Sequence, residues 1–396
     1  MNGFVNITDK IYYIGVNDRD TTLFENLWPL QRGVSYNSYL IKDEKNVLID
    51  TVKVTKMSLF IEKIRDLLDG KNLDYLVINH MEPDHSGSIS EIVHEFPNIK
   101  IVGNNKTFGF LKGLFGIEKN LYEVKDNDEI NTGNHTLKFY MTPMVHWPET
   151  MMTYELNSKI LFSGDAFGGF GTLDGGIFDD EVNLDFYENE IRRYYSNIVG
   201  RFSPMVQRAL QKLSGLEVKI IAATHGPVWR KYPERIVEKY DKWSKYETEK
   251  GVVIAYGSMY GNTEKMADYL ARKLAEKGVK DVRIMNVSKV HQSYIINEFW
   301  KFKGIILGSC TYNTGLYPTM EALVQTLEHV KAKNHILGVF GTYAWSGGGV
   351  STIMKYSERL NWPLVAEPVE AHLAAKKEDF EKLDILAENM AKMLEE

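Results

Sequence analysis

The sequence predicts an α/β protein built from two unlike folds in series, a mixed α/β layered half followed by a doubly wound parallel sheet. Three observations carry this expectation. The chain has 396 residues, more than one core usually organises, since domains hold roughly 100–200 residues. Up to about residue 225 it offers many short strand-like runs and few helices, whereas beyond residue 249 strand and helix patterns alternate strictly, as they do in a parallel sheet with crossover helices. A hydrophobic fraction of 44% beside 25% charged residues supplies apolar surface for two cores and argues against disorder.

In the first half, IYYIGV, YNSYLIK, NVLID, DYLVI, KIVG, LKFYMT, MMTYEL, KILFS and VKIIAA read as strands. Each is rich in β-branched or aromatic residues and bounded by Gly, Asn, Asp or Lys. Helical periodicity occupies SLFIEKIRDLL and the segment from Phe186 to Val199,. From Tyr232 to Glu249 the chain reads YPERIVEKYDKWSKYETE; Pro233 at a helix start and charges along one face predict a bridging helix. Domains of residues 1–248 and 249–396 follow. In the second, VVIAYG, a helix from Thr263 to Lys277, DVRIMNV, a helix, GIILGS, a helix, HILGVFG, another helix and a closing helix near Glu378 to Leu394 complete the alternation.

Charge and cysteine usage narrow the function classes. A formal net charge of -6 and a pI near 6.0 argue against nonspecific binding to nucleic acid. Cys310 is the only cysteine, so neither an internal disulfide nor a Cys-ligated iron-sulfur or rubredoxin-type centre can form within the chain. The N-terminal MNGFVNITDKIYYIGV lacks a basic segment followed by an apolar core, and no run approaches the ~20 apolar residues that span a bilayer. No membrane partner and a cytoplasmic location are expected.

The chemistry of the first half concentrates at strand ends. NHMEPDHSGS, Asn79 to Ser88, follows DYLVI and packs His80, Glu82, Asp84 and His85 into six residues. His146 follows LKFYMTPMV, Asp165 follows KILFSG, and His225 follows VKIIAAT. Singly, Asp84 could cap the next helix and any lone histidine could be a core residue. Four strand-end loops offering seven such residues are more economically explained by convergence on one point, because open α/β sheets build sites at strand carboxyl ends. His94, His135, His291, His329, His335 and His372 lack acidic company there and read as structural or surface residues. Three carboxylates and four imidazoles without a thiolate exceed one tetrahedral zinc shell, which implies two metals sharing a carboxylate.

The second half carries an anion cradle. GSMYGNT, Gly257 to Thr263, lies between a strand and a helix start, where backbone N–H groups and the hydroxyls of Ser258, Tyr260 and Thr263 can hold a phosphate without Lys or Arg. It matches neither an ATP-type loop nor GxGxxG. Two more loops, GSCTYNTGLYP (Gly308 to Pro318) and GTYAWSGGG (Gly341 to Gly349), follow the third and fourth strands. Tyr312, Tyr343 and Trp345 offer aromatic walls for a flat ring, and Gly347 to Gly349 permit close backbone approach.

The ligand set His80, Glu82, Asp84, His85, His146, Asp165 and His225 resembles that of the metallo-β-lactamase-like fold, an αββα sandwich. In the zinc hydrolases of that fold a histidine stands at the position of Glu82; a harder, anionic oxygen shifts the preference towards iron or manganese. The three later loops resemble those of flavodoxin, which bind FMN phosphate and the two sides of the isoalloxazine. That resemblance implies FMN contacts from Ser258, Met259, Tyr260, Gly261, Asn262 and Thr263, from Ser309, Cys310, Thr311, Tyr312 and Asn313, and from Thr342, Tyr343, Ala344, Trp345, Ser346 and Gly347.

Together the halves resemble the flavodiiron proteins over essentially the whole chain. The resemblance implies two non-haem irons, one held by His80, Glu82, His146 and Asp165 and the other by Asp84, His85, Asp165 and His225, with Asp165 bridging. The family does not use the position of His85 uniformly as a ligand. It also implies an oxidoreductase that reduces dioxygen to water, nitric oxide to nitrous oxide, or both, in a head-to-tail homodimer or a dimer of dimers. With neither a rubredoxin nor a flavin reductase domain expected in this chain, electrons come from an external donor, a rubredoxin or a reduced deazaflavin cofactor. A zinc hydrolase with a fused flavodoxin-like module is the alternative.

Overall fold

The strands Met151–Glu155 and Ile160–Gly164 are buried at every position, so the sheet containing them must be covered on both faces. In the computed structural model, which describes residues 3–395, that sheet has five strands in the order Glu129–Asn131, Thr136–Met141, Met151–Glu155, Ile160–Gly164 and Ile220–Ala223. A seven-stranded sheet runs Val5–Thr8, Ile11–Tyr13, Tyr39–Ile41, Val47–Ile49, Tyr75–Val77, Lys100–Gly103 and Leu121–Glu123. Helices complete the αββα sandwich. Met57–Leu68, for example, buries Phe60, Ile61, Ile64, Leu67 and Leu68, one stripe at helical spacing.

Parallel pairing places the site. Tyr75–Val77 runs parallel to Val47–Ile49 and Lys100–Gly103, and Ile160–Gly164 runs parallel to Ile220–Ala223. The carboxyl ends of Tyr75–Val77, Ile160–Gly164 and Ile220–Ala223 therefore feed the segments carrying His80, Asp165 and His225.

The chain divides into two units. One runs to Tyr195 and resumes over Phe202–Asp241, and the other comprises Ser196–Arg201 and the chain from Lys242 onward. The second is a parallel sheet in the order Val282–Asn286, Glu249–Gly257, Phe302–Tyr312, Ile336–Tyr343 and Val369–His372, with the short Gly315–Leu316 pairing antiparallel to the third-strand extension. In chain order this is 2-1-3-4-5, the flavodoxin-like arrangement. Its core packs Val252, Ile254, Ile306 and Phe340 against Met266, Leu270, Leu383 and Leu386.

Several elements differ from expectation. IYYIGV is split, with Val16–Asp18 pairing instead with Val34–Tyr36. The helix expected over Phe186 to Val199 is Leu184–Tyr194, followed by a wider π-type turn, Tyr195–Val199. A further helix, Ser203–Leu213, starts with Pro in its first turn. The bridging helix is Pro233–Ser244, and Glu249 already opens the next strand.

Candidate functional site

The turn after Tyr75–Val77 is built to present side chains inward. Pro83–Ser86 forms one helical turn with Pro at its start, and the Glu82 carbonyl accepts from the N–H groups of His85 and Ser86 at 2.9 Å. Ser86 Oγ returns a hydrogen bond to the Met81 carbonyl at 2.9 Å. Behind it, the Asp50 carboxylate receives the N–H and side-chain amide of Asn79, each at 2.8 Å, while Glu149 Oε1 receives the Met81 N–H at 2.8 Å. These contacts fix the backbone on either side of His80.

All seven predicted ligands meet. Ligand atoms of His80, Glu82, His146 and Asp165 lie within 4.8 Å of one another, as do those of His80, Asp84 and His85 and those of His85, Asp165 and His225. Asp165 divides them. Its Oδ2 lies 2.9 Å from His146 Nε2 and 3.2 Å from His80 Nε2, and its Oδ1 lies 3.3 Å from His85 Nε2 and 3.7 Å from His225 Nε2. Glu82 Oε2 is 2.9 Å from His146 Nε2, and Asp84 Oδ2 is 3.3 Å from both His85 and His225. One carboxylate with an oxygen turned to each of two nitrogen and oxygen groups is the geometry that a shared ligand needs.

The donor set fits metal ions on its own chemistry. Both nitrogens of His80, both carboxylate oxygens of Asp84 and Nδ1 of His85 are buried without a hydrogen-bond partner. Native proteins rarely leave such groups unsatisfied, because each costs roughly 1–3 kcal/mol or more. His85 Nε2 and His225 Nε2 face each other at 2.9 Å. His225 Nδ1 lies 2.7 Å from the Ser35 carbonyl oxygen, so its proton sits there and Nε2 presents a lone pair inward. The acids draw positive charge to this point. Burial opposes charge on His146, yet Glu82 and Asp165 push it up to about 10. Burial likewise opposes charge on Asp165, but the neighbouring imidazoles of His80, His146 and His85 hold its carboxyl well below the usual range.

Aromatic and hydroxyl groups that the sequence did not reveal surround this cluster. Tyr194 donates to Asp165 Oδ2 at 2.9 Å, and Thr224 Oγ1 donates to Oδ1. Phe24, Tyr36 and Tyr194 set their rings 5.4–5.8 Å from that of His225. A cavity of about 330 Å³ reaches Glu82 and Asp84 past Phe24, Glu25, Tyr36 and Lys53. Burial, and then the neighbouring Glu82, push the Glu25 carboxyl up to about 7. Tyr195, next to Tyr194, turns elsewhere: it bonds Ser203 Oγ at 2.9 Å and packs on Tyr240. Trp147 packs edge-on against Phe110. Glu149 carries no motif that marks it; its role arises from long-range packing.

In the second unit, Ser258 to Thr263 join Glu249–Gly257 to the helix Asn262–Glu276. Gly261 stands at the N-cap with φ 88° and brings no side chain to it, leaving the first-turn N–H groups to an anion. Ser258 Oγ accepts from Gly261 N–H at 3.1 Å. Thr263 Oγ1 lies 2.8 Å from Thr342 Oγ1, and Thr311 Oγ1 accepts from Gly349 N–H at 3.0 Å. Gly348, at φ 150°, passes so near the second loop that a Cβ would stand 2.0 Å from the Thr314 carbonyl oxygen. Ser309 and Cys310 are buried, so Cys310 offers backbone rather than its thiol, and Asn313 lies beyond them at φ 45°. Tyr260 and Trp345 are 91% and 82% exposed, and Met259 and Tyr312 are also exposed. Such a cluster of bare apolar groups marks a binding site, and a flat ring suits it. Ala344 and Ser346 are exposed beside Trp345 and Gly347, while the Tyr343 ring packs 5.1 Å from His372.

Known proteins match this arrangement. Residues 34–226 match the ODP family beta lactamase model, and residues 254–382 match the flavodoxin model. The chain is 36% identical over 353 residues, 88% of it and 74% of the relative, to the anaerobic nitric oxide reductase flavorubredoxin of Escherichia coli. Among solved structures it is similar to the flavodiiron protein of Giardia intestinalis, with TM-score 0.93, 27% identity and coverage of 99% and 96%.

The chain belongs to the flavodiiron protein family.

Rubredoxin oxygen:oxidoreductase of Desulfovibrio gigas is similar over 99% of this chain and 98% of that one, at TM-score 0.95 and 29% identity. The prosthetic groups of a flavodiiron protein, a pair of non-haem irons and FMN, fit the two donor sets: buried imidazoles and carboxylates for the first, an uncapped helix start with bare aromatics for the second. Among the described residues no helix is long and apolar enough to cross a membrane.

Proposed function

We propose that this flavodiiron protein reduces dioxygen to water, nitric oxide to nitrous oxide, or both, with His80, Glu82, His146 and Asp165 holding one iron and Asp84, His85, Asp165 and His225 the other. The observation that carries this reading is the division of Asp165, whose two oxygens face different groups of ligands. Bound there, ferrous iron and reduced FMN supply electrons, four for dioxygen to two waters and two for coupling two nitric oxides. Phe24, Tyr36 and Tyr194 exclude bulk water around His225, and the cavity ending at Glu82 and Asp84 has room for a small gas molecule. The three loops of the second unit hold FMN through Ser258–Thr263, Ser309–Asn313 and Thr342–Gly347.

Residues 1–248 then constitute the di-iron part and 249–396 the FMN part. The rubredoxin in the names of two relatives supports such a donor here, and a reduced deazaflavin is the second choice. A head-to-tail homodimer, or a dimer of dimers, would bring the FMN of one subunit to the irons of its partner, and the cytoplasm is the compartment proposed. The zinc-hydrolase alternative is not favoured, because Glu82 replaces a zinc-type imidazole and the relatives are reductases by name.

Anaerobic reconstitution with ferrous iron and FMN, followed by turnover assays with each gas, tests the proposal. Consumption of one or both gases is expected. Activity with neither, in a preparation carrying two irons and one FMN per chain, refutes it.

A further inference from the structure

The third flavin loop is braced from behind by a strand that carries no sequence motif. Val369–His372 runs parallel to Ile336–Tyr343, pairing Gly341 with Glu370 and Tyr343 with His372. Its buried positions are Val369 and Ala371, and its outward ones are Glu370 and His372. Both outward side chains meet the loop. His372 Nε2 lies 2.7 Å from the Ala344 carbonyl oxygen and therefore donates its proton there. Glu370 reaches further along, so that a Cβ at Gly347 would stand 3.3 Å from its Oε2 and 3.4 Å from its Oε1. Burial pushes its carboxyl up, against the pull of the Val350 and Gly348 N–H groups. Among the described residues no lysine or arginine forms an ion pair with it.

We infer that Glu370 is a positioning residue of the flavin site, and that its negative charge, held against the Gly347–Gly349 backbone while His372 steadies the same loop, lowers the reduction potential of the FMN. The inference rests on the FMN reading above. Reduction adds negative charge to the ring system, and an uncompensated carboxylate beside the loop that walls it opposes that addition. Neutralising the carboxylate at constant shape should favour reduced over oxidised FMN, whereas loosening the loop should weaken both alike.

The test uses the full chain. FMN affinity is measured by fluorescence quenching on the apoprotein, and the midpoint potential by reductive titration against redox dyes, for the parent, Glu370→Gln, Glu370→Ala, Glu370→Asp and His372→Ala. Glu370→Gln is expected to raise the ratio of reduced to oxidised affinity about tenfold, which is about 30 mV for a two-electron couple. His372→Ala should weaken binding of FMN with no comparable shift in potential. A Glu370→Gln potential equal to that of the parent overturns the inference. If Glu370→Gln does not retain FMN, Glu370→Ala decides: a rise of about 30 mV supports the role of charge, and the parental value overturns it. Glu370→Asp, which keeps the charge, should stay nearer the parental potential than either. A parent that binds no FMN would refute the FMN reading itself, a different result from either.

Discussion

Asp50 offers the most direct measure of how the ligand turn is held. The residue is buried, and its two oxygens receive both donors of Asn79, each at 2.8 Å, immediately before His80. Asp50→Asn changes almost no volume, and the backbone at φ 55° is one that Asn tolerates. Asn keeps one acceptor but sets an amide N–H₂ against a buried N–H donor. A hydrogen bond to a charged acceptor contributes about 1.5–3 kcal/mol and an orphaned buried donor costs about 1–3 kcal/mol; as the two overlap, about 2–4 kcal/mol is expected. At about 2–4 °C per kcal/mol for a unit of this size, Tm should fall by roughly 5–15 °C. Calorimetry on the metal-free chain reads this directly. Asn79→Ala removes the side-chain donor and leaves the backbone N–H, so Asp50→Asn should cost less in that background. Iron affinity should fall about 10–100-fold, as it does when groups orienting metal ligands are lost. A Tm unchanged by Asp50→Asn, or strict additivity with Asn79→Ala, would refute the reasoning.

Asp165→Asn should lower bound iron below one ion per chain, because the lost charge faces both ligand groups; metal analysis after anaerobic reconstitution reads the outcome, and retention of two ions contradicts a shared role. Glu82→His should shift the preference of reconstituted protein towards zinc in equimolar competition with ferrous iron. Gly348→Ala should weaken FMN binding more than about tenfold, since a side chain there meets the Thr314 carbonyl and φ 150° is strained for any L-residue. The buried His135–Glu155 pair, 3.1 Å apart, should give a stability optimum on the acid side of neutrality. Glu155 is held below 4.5 by His135 and by the Ser158 and Asn157 N–H groups, despite burial, so its contribution is present above 4.5 and lost as pH falls through the folded value. Hydrogen bonding to Glu155 holds His135 above 6.5, so its contribution is complete below 6.5 and lost as pH rises through the folded value. Glu155→Gln should flatten a plot of Tm against pH; an unchanged plot would contradict the assignment.

The site was legible where chemistry is local and hidden where it depends on packing. His80, Glu82, Asp84 and His85 share one turn, and His146, Asp165 and His225 each close an apolar run, so the apolar strand patterns located them. Alternation of strand and helix made the second unit equally plain, down to its three loops. Tyr194 and Glu25 left no such trace. Tyr194 was hidden inside an expected helix that in fact ends at it, and Glu25 lies in the turn between two paired two-residue strands, Leu23–Phe24 and Trp28–Pro29, too short for any periodicity. His372 shows the limit most clearly. Its strand has four residues, and only pairing with Ile336–Tyr343 reveals that this histidine supports the loop at Ala344.

The mutual ties of the three loops have a consequence for inheritance and redesign. Thr263 grips Thr342, Gly349 grips Thr311, and Gly348 leaves no room beside Thr314, so none of these segments can be swapped by itself for that of a distant cousin. Recombination that moves them as a trio should yield working chimeras, and piecemeal exchange should not.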